Sequence, residues 1–381
     1  MTMRSPHLDG RRVANAAGSV GTRLSITIGV AACIAIAGWS SVAGRPLPAT
    51  IQRPPYLKTF TRPTTIPYPQ DNKYTAARAE LGRRLFFDPM LSSSGVISCA
   101  SCHNPSLSWG DGLARAIGHT KKPLGRRTPT VLNVAWGELM MWDGRMDTLE
   151  AQALGPIQAP GEMNQKLEGM IANLKGVLRY RELFADAYPG EPIDEITTAK
   201  AIATFERGIV SGSAPFDRWA AGDDRAMTVE AQRGFVIFNT SGRCATCHSS
   251  WRFSDDSFHD IGVPGKDLGR GAFQPSIEVM QHAFKTPTLR NIVERSPYMH
   301  DGSVATLEEV IDLYDTGGRA KRPSLSPEIK ALHLTSQNKE DLISFLHALT
   351  SPDAATGTVA SPTRAKEKPR GQRGRTPRTI P

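Results

Sequence analysis

Two short stretches constrain this chain more than anything else in it: "ISCASCHN" at Ile97–Asn104 and "GRCATCHS" at Gly242–Ser249. Each carries Cys-x-x-Cys-His, and the two histidines, His103 and His248, stand 145 residues apart. In a helical turn, thiols three positions apart fall on one face. They can form thioether bonds to the two vinyl groups of a haem, and the histidine that follows reaches the iron from the same side. Cys99, Cys102, Cys244 and Cys247 therefore read as haem c attachment points, with His103 and His248 as iron ligands. Because the bonds are covalent, the surrounding fold need not enclose the cofactor completely. A four-cysteine zinc site would need its ligand pairs much closer in sequence and leaves both histidines unexplained. A thioredoxin-like dithiol needs one motif in a βαβ setting.

The fifth cysteine, Cys33, lies in a leader. Arg4, Arg11, Arg12 and Arg23 precede an apolar run of about 18 residues within Ser25–Gly44, and Ser41 and Ala43 have the spacing of a signal-peptidase site. The leader is read as residues 1–43, cleaved after Ala43, with an uncleaved anchor as the alternative. "VAAC" at Val30–Cys33 is a weak lipid-attachment pattern, weakened further by the apolar residues that continue past it. These features predict export to the periplasm, with membrane contact only if the leader is retained. An exported protein usually spends cysteines on disulfides; here every mature cysteine sits in a haem motif.

Formal net charge is +9, and residues 351–381 contribute +5 of it through seven Lys/Arg against Asp353 and Glu367. That segment has almost no large apolar side chain and is expected to be a disordered basic tail. An acidic partner or an anionic lipid surface is the other reading of it. No basic stripe with interleaved aromatics exists, so nucleic acid is not expected as a partner.

"GRRLF" (Gly82–Phe86) leads into the first motif and "GFVIF" (Gly234–Phe238) into the second. Both match Gly-x-x-apolar-Phe, which suggests duplication of one haem-binding unit. Residues 44–73 are Pro-rich in part and read as an extended arm. Helical patterns cover Tyr74–Phe87, Asn164–Ala187, Ile193–Val210, Val229–Phe238, Thr306–Tyr314 and Ser336–Leu349. Leu342, Phe345, Leu346 and Leu349 form a core-facing stripe in the last. No sustained strand alternation is present. The expected fold is mostly α: two cytochrome-c-like haem domains with long loops, the first over 74–225 and the second over 226–350.

The segments "TPTVLNVAWGELMMWDGRMDTLEAQALGPIQAPGEMN" (Thr128–Asn164) and "FKTPTLRNIVERSPYMHDGSVATLEEVIDLYDTGG" (Phe284–Gly318), with the two haem motifs, resemble the bacterial di-haem cytochrome c peroxidase / MauG family over about Tyr74–Leu349. The resemblance implies a peroxidase that activates hydrogen peroxide at the His103 haem. It implies that Glu162 is the distal acid, moving a proton between the two peroxide oxygens before the O–O bond breaks. Gln152 and Pro156 match pocket-lining positions, and Trp142 matches the tryptophan between the haems. Read alone, a Glu after Pro-Gly is usually a surface residue or cap, and a tryptophan is usually core. Trp109, Trp136, Trp219 and Trp251 carry no such match and stay core residues. Asp143 and Arg145 read as an ion pair or propionate contacts.

Two positions separate the subfamilies and point in different directions. His119, 16 residues after His103, resembles the histidine that blocks the first iron in resting peroxidases; alternatively it is a loop histidine. Tyr314, 14 residues after His300, stands where peroxidases carry a methionine ligand and MauG a tyrosine; alternatively it is a buried helix aromatic. A thioether is soft and neutral and raises the iron potential, whereas a phenolate is hard and anionic and favours oxidised iron. Tyr314 thus implies peroxide-driven oxidation of a protein substrate, which in MauG is a tryptophan-derived quinone precursor in methylamine dehydrogenase. The alternatives are a conventional peroxidase fed by a small periplasmic cytochrome and a non-enzymatic di-haem electron carrier. The family also holds Ca2+ between the haems through backbone carbonyls and one Asn side chain. Here the carbonyls of Arg295 and Pro297 match, but Arg127 replaces the Asn. That leaves three expectations: no ion, an ion held by carbonyls and water, or Arg127 itself supplying the charge.

Overall fold

Most helices begin where a short polar side chain can accept from an exposed backbone N–H. Thr75 caps α1 (Ala76–Phe87), Thr148 caps α3 (Leu149–Gln158), Thr228 caps α8 (Val229–Asn239) and Thr306 caps α9 (Leu307–Asp315). Asp194 and Thr335 complete reciprocal capping boxes on α6 (Glu195–Arg207) and α10 (Ser336–His347). The remaining helices are α2 (Cys99–Cys102), α4 (Leu167–Gly176), α5 (Leu178–Ala187) and α7 (Pro215–Ala220). Two-residue strands β1 (Phe258–His259) and β2 (Phe284–Lys285) pair antiparallel, Phe258 opposite Lys285 and His259 opposite Phe284. This computed structural model describes residues 52–351. The leader, the start of the Pro-rich segment and the basic tail lie outside the described residues.

The helices build two apolar cores. In the first, α6 is buried from Thr197 to Arg207 apart from half-buried Lys200, and packs against α1, α3 and the aromatic residues around Trp109. In the second, α8 packs against α10, whose predicted stripe Leu342, Phe345, Leu346 and Leu349 is wholly buried. The two lead-in glycines occupy equivalent crossings. A Cβ on Gly82 would lie 1.9 Å from the Ala201 carbonyl oxygen and 2.9 Å from Phe205 Cβ. A Cβ on Gly234 would lie 1.9 Å from the Asp341 oxygen and 2.7 Å from Phe345 Cβ. In both pairs the helix backbones touch, and only glycine permits that approach.

Three sequence expectations change. The helical pattern at Asn164–Ala187 is broken at Val177, which is extended (φ −96°, ψ 118°) after the poor helix former Gly176. The Pro-rich segment is not a free arm throughout: Pro55–Phe60 makes a 3-10 turn, so Leu57 and Phe60 fall on one side and insert into the second core. Phe60 stacks on Phe253 at 5.0 Å between ring centres. Phe216 and Trp219 of α7, which lie before residue 226, also pack in the second core.

Candidate active site

Both haem motifs use the same local geometry. α2 is a single turn fixed by Ser98 N–H donating to Ser101 Oγ at 3.0 Å, and His103 N–H donates to the Cys99 carbonyl at 2.8 Å. The second motif forms a 3-10 turn at Cys244–Thr246, and His248 N–H donates to the Cys244 carbonyl at 2.8 Å. His103 Nδ1 lies 3.2 Å from the Trp109 carbonyl, and His248 Nδ1 lies 2.8 Å from the Phe253 carbonyl. A carbonyl only accepts, so the proton sits on Nδ1 and the lone pair on Nε2 is free for a metal. Burial pushes both imidazoles below their ordinary pKa, which keeps them neutral as iron ligands must be. Trp109 and Phe253 both adopt positive φ, 63° and 57°, held there by burial at 1% and 0% exposure.

All four described cysteines are unpaired. Burial pushes Cys102 up to about 11 and Cys244 up to about 12. No four-cysteine cluster exists among the described residues, which removes the zinc reading. Both motifs instead line one cavity of about 720 Å³. Dry thiols on a turn, a histidine with its free nitrogen fixed, and a largely apolar cavity reaching both motifs fit two covalently attached haems.

Glu162, Gln152, Pro156 and Trp142 all line that cavity. Pro156 lies inside α3, where its missing N–H leaves the Gln152 carbonyl without its helical partner. Burial raises the Glu162 carboxyl, with Arg145 opposing the rise, so it holds a proton more readily than a surface glutamate. Trp142 Nε1 donates to the Arg127 carbonyl at 2.8 Å, and the Trp142 carbonyl accepts from Lys285 N at 2.8 Å. Trp142 therefore stands on backbone from both sequence halves. Asp143 pairs with Arg145 at 2.7 Å and with Arg126 at 2.5 Å, as expected of a structural ion pair.

Tyr314 is brought to the cavity and His119 is not. Tyr314 projects from α9 into the cavity, and its phenol is raised by burial and then by the nearby Cys247 and Cys244 sulfurs. His119 has its Nδ1 3.4 Å from Ser93 Oγ, outside the cavity wall. Its contact with Glu162 is through backbone: His119 N–H donates to the Glu162 carbonyl at 2.7 Å.

Sequence reasoning missed several cavity residues. Glu206 on α6 is 4% exposed, has an unpartnered Oε2, and is raised by burial to about 8. Lys285 is lowered by burial to about 8 and donates to the Leu139 carbonyl at 2.5 Å. His259 Nε2 lies 2.9 Å from Asp255 Oδ2, and that carboxylate raises the imidazole to about 10, with a smaller contribution from Cys247. Charged side chains are usually exposed, so spacing alone gives no reason to place them inside.

The Ca2+ expectation meets an obstacle. Arg127 Nη2 donates to the Arg295 carbonyl, the oxygen that would have to ligate the ion. Ca2+ needs six to eight oxygens at about 2.3–2.6 Å. A guanidinium about 4 Å from it would repel it by roughly 8 kcal/mol at an effective dielectric of about 20. The residues present do not fit a calcium ion.

A sequence profile described as di-haem cytochrome c peroxidase matches residues 76–225. The chain is 52% identical over 299 residues to the methylamine utilization protein MauG of Methylorubrum extorquens, covering 78% of this chain and 84% of that one. It is 36% identical to the cytochrome c551 peroxidase of Nitrosomonas europaea, covering 78% of this chain and 87% of that one. Among solved structures, a MauG-like protein associated with microbial copper homeostasis superimposes with a TM-score of 0.71 at 32% identity, over 80% of this chain and 96% of that one. With two haem-attachment turns opening on one cavity and these relatives, the chain belongs to the MauG / di-haem cytochrome c peroxidase family and is a haem c oxidoreductase of the peroxidase class.

Proposed function

We propose that this protein is a periplasmic MauG-type oxidase that uses hydrogen peroxide to oxidise a protein substrate, rather than a peroxidase fed only by a small cytochrome. The observation that carries this reading is the contrast between Tyr314, which lines the cavity beside the second motif, and His119, which lies outside it on Ser93. Haem iron, when bound, supplies the site for peroxide and the store for its oxidising equivalents. Glu162 holds a proton in a dry pocket and passes it between the peroxide oxygens. Gln152 and Pro156 shape the wall around it. Trp142, pinned by Nε1 to the Arg127 carbonyl, offers an indole for carrying an electron between the halves. With haem bound, Tyr314 would be the residue to hold the second iron; ligation would draw the proton from its phenol, and a phenolate would favour the oxidised state. The Methylorubrum relative is a methylamine utilization protein, which supports a role for this chain in methylamine utilization.

The deciding experiment mixes the fully ferric holoprotein with peroxide in a stopped-flow spectrometer. This reading expects a high-spin first haem that reacts promptly with no prior reduction. A low-spin first haem that stays sluggish until half-reduction would establish the conventional peroxidase, with His119 swung onto the iron.

Export is part of the proposal. It rests on the leader at residues 1–43 and on haem c attachment. No helix among the described residues is long and apolar enough to cross a membrane.

A further inference from the structure

We propose that Arg127 is a built-in replacement for a metal ion: its guanidinium provides, within the chain, the positive charge that joins the two haem-binding halves, and the holoprotein works without calcium. This is independent of the substrate reading above. Arg127 belongs to the first half of the chain yet makes two ties to the second, and a third to Trp142. Its Nη2 donates to the Arg295 carbonyl, its backbone N–H donates to the His300 carbonyl at 2.8 Å, and its own carbonyl accepts from Trp142 Nε1 at 2.8 Å. One residue thus fixes the indole and clasps the loop Arg295–His300.

The charge is real and internal. Arg127 is 7% exposed, lines the cavity, makes no ion pair among the described residues, and has an unpartnered buried Nε. Burial lowers its pKa, but a guanidinium stays protonated at any physiological pH. A buried cation is costly and persists only where carbonyl dipoles or an anion answer it, and the Asp111 carboxylate, though not in ion-pair contact, opposes the effect of burial on Arg127. The Arg295 carbonyl is one such dipole. It is aimed by a turn in which Arg295 N–H donates to the Ile292 carbonyl at 3.1 Å. Arg295's own guanidinium is turned elsewhere, donating to the carbonyls of Thr288 at 2.6 Å and Arg290 at 2.8 Å. It therefore leaves its carbonyl to Arg127. A divalent ion and Arg127 would compete for the same oxygen and repel each other.

The test begins with the wild-type holoprotein, purified without chelator from calcium-containing medium and analysed by atomic emission. Calcium is expected well below about one ion per chain, and excess EGTA should change neither the haem absorption nor Tm. Near-stoichiometric calcium, or a chelator-induced spectral shift, overturns the proposal. Arg127→Asn replaces the guanidinium with an oxygen donor. In EGTA this variant should melt below wild type and show altered haem absorption, and millimolar CaCl2 should recover both. Arg127→Lys should stay indifferent to calcium. An Arg127→Asn variant that matches wild type with and without calcium also overturns the proposal. Should that variant fail to accumulate, the wild-type calcium content decides alone.

Discussion

Glu162 and Tyr314, which both line the cavity, are the residues on which the proposed chemistry rests. Glu162→Gln keeps the volume and the cavity wall but cannot exchange a proton. Both haems should attach, and the peroxide reaction of the ferric protein should slow by about 10²-fold or more, measured by stopped-flow absorption. An unchanged rate removes Glu162 from the mechanism. Tyr314→Met should preserve the fold, since Met adapts to irregular space. The second haem's potential should rise, because an anionic hard ligand becomes a neutral soft one. An unchanged potential and ferric spectrum would show that Tyr314 is only a core aromatic. Glu206 makes a stability prediction. Its carboxyl is raised from 4.5 to about 8 by burial, so between those pH values the folded state binds a proton that the unfolded state has released. Stability therefore falls as pH rises through that window. Glu206→Gln should flatten the fall in Tm of the holoprotein between pH 5 and about 8.

At the scale of elements, the helix pairs α1/α6 and α8/α10 set the frame from which each haem motif hangs. Gly82→Ala and Gly234→Ala each put a methyl 1.9 Å from a backbone oxygen, so the helices must separate. Overpacking of this kind costs roughly 1–3 kcal/mol and sometimes more, and here backbone rather than a flexible side chain must move. Both variants should show reduced yield of haem-loaded protein and a lowered Tm; a Tm equal to wild type would mean that the crossings are looser than described. On α9, Thr306 Oγ1 accepts from Glu309 N at 3.2 Å. Thr306→Ala should cost about 1 kcal/mol of stability. Its effect on the second haem's spectrum, through Tyr314, should exceed its effect on the first.

For the whole molecule, the question is how two cores share one cavity. The joint is polar. Arg126 pairs with both Asp143 and Asp267, Lys285 N–H holds the Trp142 carbonyl, and Arg270 donates to the Gly144 carbonyl at 2.7 Å. Trp142 is the aromatic residue placed on that joint by the hydrogen bonds on both its ends. Trp142→Phe removes the Nε1 donor while keeping an aromatic ring. Both haems should remain attached, but oxidation of the second haem by peroxide delivered to the first should slow. Equal rates in the two proteins would mean that the electron does not need the indole.

The sequence determined the haem-attachment turns, the mostly helical class and the doubled Gly-x-x-apolar-Phe lead-in, because each is set by contacts within a few residues. The caps at Thr75, Thr306 and Thr335 and the stripe from Leu342 to Leu349 are equally local. That Glu162, Trp142, Gln152 and Pro156 line the cavity could be expected only through long segments matching a family, since nothing in a single glutamate says which cavity it faces. Tertiary structure alone shows where His119 and Tyr314 lie relative to the cavity. Both stand at family spacings, but His119 is carried off by a loop to Ser93, while α9 turns Tyr314 inward. It also decided that Phe60 and Trp219 serve the second core, and that Glu206 and Lys285 lie inside. For charged and aromatic side chains the deciding term is burial, which depends on what packs from distant parts of the chain. Arg127 shows the same division: the sequence places a guanidinium where an amide was expected, and only the fold shows which carbonyl it takes.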